Sequence, residues 1–244
     1  MRPSEPIVMS TGPRVLHVIT RSDWGGAPRI VQLLATHTKG EAAVACGSGG
    51  ELIQRLEEAN IPVYIQHYLK RSPSLVDDTH ALVDLLILMN REKFDLVHCH
   101  STKAGVIGRL AANVMRIPCI FTVHGWGFYN TEYEKISPLI AKGEELLTRI
   151  SEEVICVSEN DLQEGRENGI FADGEGRVIH NGIPPLSHRS NRATIEEEFE
   201  INSDTTVIGA VARLSKQKNP LEIIRVAERL QASDQDVTLV LIGG

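Results

Sequence analysis

The residues able to do chemistry sit in short glycine- and histidine-bearing stretches, each just after an apolar run. Ser22-Asp23-Trp24-Gly25-Gly26 places paired glycines ahead of a helical pattern. Such a turn lets backbone N–H groups come close to an anion, although a Gly-Gly turn between strand and helix is often only a turn. His100-Ser101-Thr102-Lys103-Ala104-Gly105 follows FDLVHCH; its small polar residues suit a helix cap or a site at a strand end. His124-Gly125-Trp126-Gly127 follows CIFTV and puts an imidazole beside a residue with no side chain, which leaves it little steric cover. Asn181-Gly182-Ile183-Pro184 reads as a tight turn with positive φ. Arg213 and Lys218 flank a strand-to-helix turn. Two cations beside helix N–H groups suit a diphosphate, and taken alone the stretch reads as a solvated basic loop.

The elements that must carry these residues alternate along the chain. Apolar runs at VLHVIT, AAVAC, PVYIQ, FDLVHCH, PCIFTVH, EEVICVS and RVIHNGI read as strands. Between them GAPRIVQLLATHT, ELIQRLEEAN, LVDDTHALVDLLILMNREK, KAGVIGRLAANVMR, PLIAKGEELLTRI and ENDLQEGRENG carry helical spacing. Pro28 fits a first helical turn, and Ser158 with Asp161 forms a capping box ahead of Glu159 and Asn160. Strands with few polar residues, alternating with helices, predict an α/β fold with a parallel sheet covered on both faces. In such sheets ligands bind at the carboxyl ends of the strands, where every stretch singled out above lies.

Residues 1–13 read as a loose tail, 14–183 as a Rossmann-like domain, 184–205 as a proline-containing polar linker with a short helical piece at Glu196–Phe199, and 206–244 as the start of a second domain. TVIGAVARL, PLEIIRVAERLQ and VTLVLIGG make only one β-α-β piece, too small to carry a core by itself. The chain is therefore expected to be part of a longer polypeptide.

At 244 residues, 42% apolar and 23% charged, the chain can bury a sizeable core. Its formal charge of −7, from 25 Lys+Arg against 32 Asp+Glu, argues against general nucleic-acid binding. Cys46, Cys99, Cys119 and Cys156 lie in apolar contexts without CxxC spacing and read as buried free thiols in a reducing compartment rather than a zinc site. No signal-like or membrane-spanning run occurs, so a cytoplasmic location is expected. Trp126, Phe128, Tyr129 and Tyr133, followed by Lys135, Lys142 and Arg149, suggest a peripheral contact with the inner face of the membrane, against ordinary packing.

Taken in order, these pieces carry a family resemblance. Gly25-Gly26, His98-x-His100-Ser101-x-Lys103-Ala104-Gly105, Thr122-Val123-His124-Gly125, Val157-Ser158-Glu159, Val178-Ile179-His180-Asn181-Gly182-Ile183 and Arg213-x4-Lys218 resemble family 4 of the retaining glycosyltransferases with the GT-B fold, over Arg14 to the end. The wording looks closest to bacterial enzymes of capsular, exopolysaccharide or lipopolysaccharide synthesis. The resemblance implies two Rossmann-like domains, the second incomplete in this sequence, with a nucleotide-diphosphate sugar between them and a lipid-linked or saccharide acceptor. It implies that Gly25 and Gly26 lie near donor phosphates or acceptor and that His124 reaches the donor sugar. It implies that Arg213 and Lys218 hold the diphosphate and stabilise it as leaving group. His100, Ser101, Lys103, Gly125 and Asn181 are the further binding residues, and no metal or cofactor is expected.

The family's E-x7-E motif lies beyond this sequence. The same spacing at Glu144/Glu152, Glu145/Glu153, Glu159/Glu167 and Glu167/Glu175 reads as chance on solvated faces. The alternatives are a nucleotide-sugar epimerase of the same fold and a non-catalytic truncated binding module. A nicotinamide-dependent oxidoreductase is disfavoured, because the first turn lacks GxGxxG.

Overall fold

The computed structural model describes residues 12–129, 137–185, 192–212, 214, 218–233 and 235–243. They fall into two compact units, 1–182 and 183–244.

The first unit alternates strand and helix as the apolar periodicity predicts. Strands β1 (Arg14–Ile19), β2 (Glu41–Cys46), β3 (Val63–Ile65), β4 (Leu96–His100), β5 (Cys119–Val123), β6 (Glu153–Cys156) and β7 (Arg177–Val178) form one parallel sheet in the order β3-β2-β1-β4-β5-β6-β7. The order reverses between β1 and β4, which makes the carboxyl ends of these strands the switch point where ligands bind in open α/β sheets. β7 is shorter than RVIHNGI suggests. Neither Asn181 nor Gly182 takes a positive φ. The expected tight turn is absent, and residues 179–185 run on as exposed irregular chain, tied back where the Ile179 N–H donates to the Cys156 carbonyl and His180 Nδ1 lies 3.1 Å from the Val157 carbonyl oxygen.

Alternation of side chains builds two cores. Ile19, Val44 and Cys46 pack with Val31 and Ala35 of α1 (Gly26–His37) and Leu52 and Leu56 of α2 (Glu51–Glu58). Leu16, Val18, Val97, Cys99, Phe121 and Val123 belong to a larger cluster. It includes Leu85 and Met89 of α3 (Leu75–Glu92), Ile107 and Ala111 of α4 (Thr102–Met115), Ala141 of α5 (Ser137–Thr148) and Leu162 of α6 (Glu159–Glu167). The capping serine before α6 is as expected: Ser158 Oγ accepts the Asp161 N–H at 3.1 Å, and its hydroxyl donates to the Asp161 carboxylate at 2.5 Å.

α4 presses on the sheet through its glycines. A Cβ on Gly105 would stand 2.6 Å from the Phe121 ring, and one on Gly108 2.4 Å from Cys99 Sγ. Arg109, on the same helix, is fully buried over the Phe121 face and paired with Glu144 of α5. This corrects the reading of Glu144 as a solvated residue. With 3% of its surface exposed, Glu144 neutralises a buried guanidinium and ties α5 to α4. All four cysteines are buried and free, as expected.

Trp126 and Phe128 are buried as well, so their rings pack in the core instead of forming a membrane-facing aromatic patch. The Tyr129 side chain and residues Tyr133 and Lys135 of that expectation lie outside the described residues. Among the described residues no helix is long and apolar enough to cross a membrane.

The second unit pairs β8 (Thr206–Val211) with β9 (Val237–Ile242) in parallel and includes α7 (Arg192–Glu198) and α8 (Pro220–Gln231). α7 stands within the stretch read as a linker, where Arg192 donates to the carbonyls of Ser203 and Thr205 at 2.9 and 2.8 Å.

Two glycine-to-alanine changes should act with opposite sign. Gly108→Ala has no room beside Cys99 and should lower stability by about 1–3 kcal/mol. Gly143→Ala in α5 meets nothing within 4 Å and should raise it by about 0.5–1 kcal/mol. Urea unfolding followed by circular dichroism measures both.

Candidate active site at the sheet switch point

The sheet brings histidines from three strands onto one face. β1 pairs with β4 so that His17 faces His98, and β4 pairs with β5 so that His100 faces Thr122. His17, His98, His100, Thr122 and His124 all alternate opposite to Leu16, Val97, Phe121 and Val123, which places them on the same side. The rings of His98 and His100 stand 4.1 Å apart between centroids, and those of His100 and His124 5.4 Å.

Hydrogen bonds order this column. His17 Nδ1 lies 3.2 Å from His100 Nε2, and His100 Nδ1 lies 3.2 Å from His124 Nε2. His98 Nε2 lies 2.7 Å from Thr122 Oγ1. Burial drives the imidazoles toward the neutral form. It lowers His17 to about 4 and His98 to about 3, the latter helped by nearby His17 and His124. It holds His100 well below its usual value. Burial lowers His124 to about 4, against a partly opposing pull from the Asp161 carboxylate. At neutral pH every ring is uncharged.

Nitrogens of His17, His98 and His100 lie within 4.8 Å of one another, close enough to raise the question of a metal. Their present bonding bears on it. His98 is committed to Thr122, and both nitrogens of His100 are committed to its neighbours, so a cation would have to break the column. Burial raises the Cys46 and Cys156 thiols to about 12.

Hydroxyls brace the loops above the column. Thr20 Oγ1 bonds Ser101 Oγ at 2.8 Å and accepts the Ala104 N–H at 3.0 Å, capping α4 from the neighbouring strand. Ser101 itself sits at φ 70° and makes no side-chain cap. Backbone of this kind carries strain of about 1–3 kcal/mol and persists where its surroundings hold it. Ser22 Oγ accepts the Gly50 N–H at 2.9 Å, tying the first loop to α2. Trp126 Nε1 donates to the Asp161 carbonyl at 2.7 Å, which anchors the loop carrying His124 to α6.

The structure distributes the anticipated residues unevenly. Gly25 and Gly26 are exposed at the start of α1, a helix with no acidic residue in its first turn and no side-chain cap. Added Cβ atoms there would meet nothing within 4 Å. Gly125 is exposed at φ 116°, a conformation that needs glycine. His124 is half-buried at the end of β5. His100 is fully buried and communicates outward only through His124. Lys103 turns away to pair with Asp78 at 2.5 Å and with the Ser72 carbonyl. Asn181 is exposed on irregular chain. Lys218 is exposed just before α8 in the second unit, and Arg213 lies outside the described residues. Residue-by-residue reading missed His17 and Thr20, and took Ser22 and His98 only as parts of motifs. The alternating H-x-H of β4 was the available signal.

Residues 24–185 match the model of Glycosyltransferase Family 4, two thirds of the chain. The chain belongs to glycosyltransferase family 4. It is 28% identical over 204 residues to the UDP-Gal:alpha-D-GlcNAc-diphosphoundecaprenol alpha-1,3-galactosyltransferase of Escherichia coli, covering 81% of this chain and 52% of that protein. It is 28% identical over 183 residues to the capsular polysaccharide biosynthesis glycosyltransferase CapM of Staphylococcus aureus, covering 72% and 47%. The crystal structure of Anabaena HepE in complex with UDP and glucose aligns with a TM-score of 0.75 at 19% identity, covering 94% of this chain and 60% of that one. The chain thus spans about half the length of these curated relatives, and its family-4 fold is that of GT-B structures.

The column makes stability pH-dependent with a definite sign. Unfolded imidazoles titrate near 6.5, whereas these rings stay neutral in the fold down to about 4. Below about pH 6.5 the unfolded chain binds protons that the folded chain refuses, so stability is complete above that pH and falls as pH drops toward 4. The urea midpoint should fall between pH 7 and pH 5, with roughly three protons or more taken up on unfolding near pH 5.5. A midpoint flat across that range would contradict the buried neutral column.

Proposed function

We propose that this chain supplies the acceptor-side unit, and the start of the donor-side unit, of a retaining hexosyltransferase in bacterial surface-polysaccharide synthesis. One observation carries the reading. A neutral, half-exposed His124 stands at the end of β5, on the same carboxyl edge of the sheet as the uncapped, unobstructed Gly25-Gly26 start of α1. The α1 N–H groups favour negative charge and suit donor phosphates or a phosphate-bearing acceptor. A neutral imidazole suits a sugar hydroxyl, because it can share a hydrogen bond without bringing a charge into the site.

In the proposed reaction the bond from the anomeric carbon to the diphosphate oxygen breaks. A bond from the same carbon to an acceptor hydroxyl oxygen forms on the same face, and the hydroxyl proton passes to the leaving phosphate. By the family resemblance Arg213 and Lys218 are assigned to offset the charge that develops on the diphosphate, as cationic side chains in place of a metal. The donor is a UDP-hexose and the acceptor a lipid-linked saccharide, the classes named for the Escherichia coli relative. Full turnover is assigned to a polypeptide of the relatives' length, of which this chain spans about half.

Titrating the 15N-labelled chain with UDP-glucose and with UDP-galactose tests the reading. The amide signals of Gly25, Gly26 and Gly125 and the ring signals of His124 should shift together, and His124→Ala should weaken binding about fivefold or more, the loss of one hydrogen bond. An unchanged spectrum at millimolar sugar nucleotide would contradict it. Conversion of UDP-N-acetylglucosamine to its 2-epimer by the chain would mark an epimerase instead.

A further inference from the structure

The hydrogen bonds joining His17, His100 and His124 have a direction that the structure fixes. Each ring is neutral and carries one N–H, and each of the two contacts needs one donor and one acceptor. Only two arrangements satisfy both contacts. Either all three protons sit on Nδ1, or all three sit on Nε2. Any other distribution sets two lone pairs or two N–H groups against each other.

The two arrangements differ at the ends of the column. At the inner end, His17 Nε2 is buried and has no hydrogen-bond partner among the described residues. With protons on Nδ1 this atom is a bare lone pair. With protons on Nε2 it is a buried N–H with nothing to receive it, and orphaned buried N–H groups are the rarer and costlier case. At the outer end, His124 Nδ1 makes no hydrogen bond among the described residues. It becomes a donor in the first arrangement and an acceptor in the second. His98 does not interfere, because its Nε2 is engaged by Thr122 Oγ1.

We propose that His17 and His100 are positioning residues that lock His124 in its Nδ1–H tautomer, so that the end of β5 offers a ligand oxygen a fixed hydrogen-bond donor. The ligand meant is the sugar hydroxyl of the proposed function, and the recognition half of the inference rests on that reading. The tautomer half does not. A donor held in advance selects for hydroxyl or carbonyl oxygen and against a group that can only donate. It also spares the site the reorganisation of choosing a tautomer when the ligand arrives. The signal originates at a residue that never touches the ligand, because His17 is 2% exposed.

Two-bond 1H–15N correlation spectra of the 15N-histidine-labelled chain at pH 7.5 report which ring nitrogen bears the proton. Wild type should show His17, His100 and His124 all protonated at Nδ1. His17→Asp sets an acceptor-only carboxylate against His100 Nε2, which draws the proton there and should move the His124 signal toward the Nε2–H form. His17→Phe leaves His100 Nε2 as the buried end, where a bare lone pair is again the cheaper state, and should keep the wild-type tautomer. UDP-hexose affinity should follow the tautomer, about fivefold weaker in His17→Asp. An Nε2–H His124 in wild type, or a His124 signal indifferent to His17→Asp in a folded protein, overturns the proposal. If His17→Asp does not fold, the wild-type spectrum and His17→Phe still decide it. If the spectra behave as expected while no sugar nucleotide binds, the lock stands and the proposed function fails.

Discussion

Four imidazoles share a water-poor seam between β1, β4 and β5, and such a seam admits them only as neutral rings, three bonded in series and His98 bonded to Thr122. Desolvation removes the charge that each would carry in acid, and the two His–His contacts then use the ring nitrogens that remain. The register of the parallel sheet makes this possible. His17 stands beside His98 and Ile19 beside His100, so residues more than eighty positions apart in the chain meet at fixed height. A slip of one residue would send every ring to the opposite face, into the aliphatic core with Val97 and Phe121.

The loops inherit their positions from that seam and from the hydroxyls above it. Thr20 joins the end of β1 to the start of α4, Ser22 joins the same loop to α2, and Trp126 ties the His124 loop to α6. The close fit of Gly105 and Gly108 on Phe121 and Cys99, with the buried Arg109–Glu144 pair behind it, keeps α4 tight on the sheet. Rigid elements on one side and an unobstructed glycine turn on the other are what a preorganised binding edge requires.

Much of this was legible in the sequence, and the omissions have physical causes. Apolar runs and helical spacing locate the strands and helices, because both signals are local. The carboxyl-end rule for parallel sheets then points to the loops that follow the strands. Glu144 was misread because its helix shows polar residues at regular spacing, and nothing local reveals that Arg109, thirty-five residues earlier, lies against it. Asn181-Gly182 carries a turn signature, yet the chain there pairs briefly through β7 and then runs on without a left-handed residue. Trp126 and Phe128 looked like surface aromatics because they border basic residues, whereas their rings fill space beside Phe171 and α6. His17 passed as an ordinary strand residue, since its partners come from a strand brought alongside only by tertiary pairing.

A crystal structure of the chain soaked with a UDP-hexose tests the central claim most directly. The account predicts sugar-nucleotide density along the carboxyl edge of the sheet, with the first-turn amides of α1 near a phosphate and His124 Nδ1 within hydrogen-bond distance of a sugar oxygen. Ordered ligand at the opposite edge of the sheet, or at this edge with His124 turned away from it, would contradict the account.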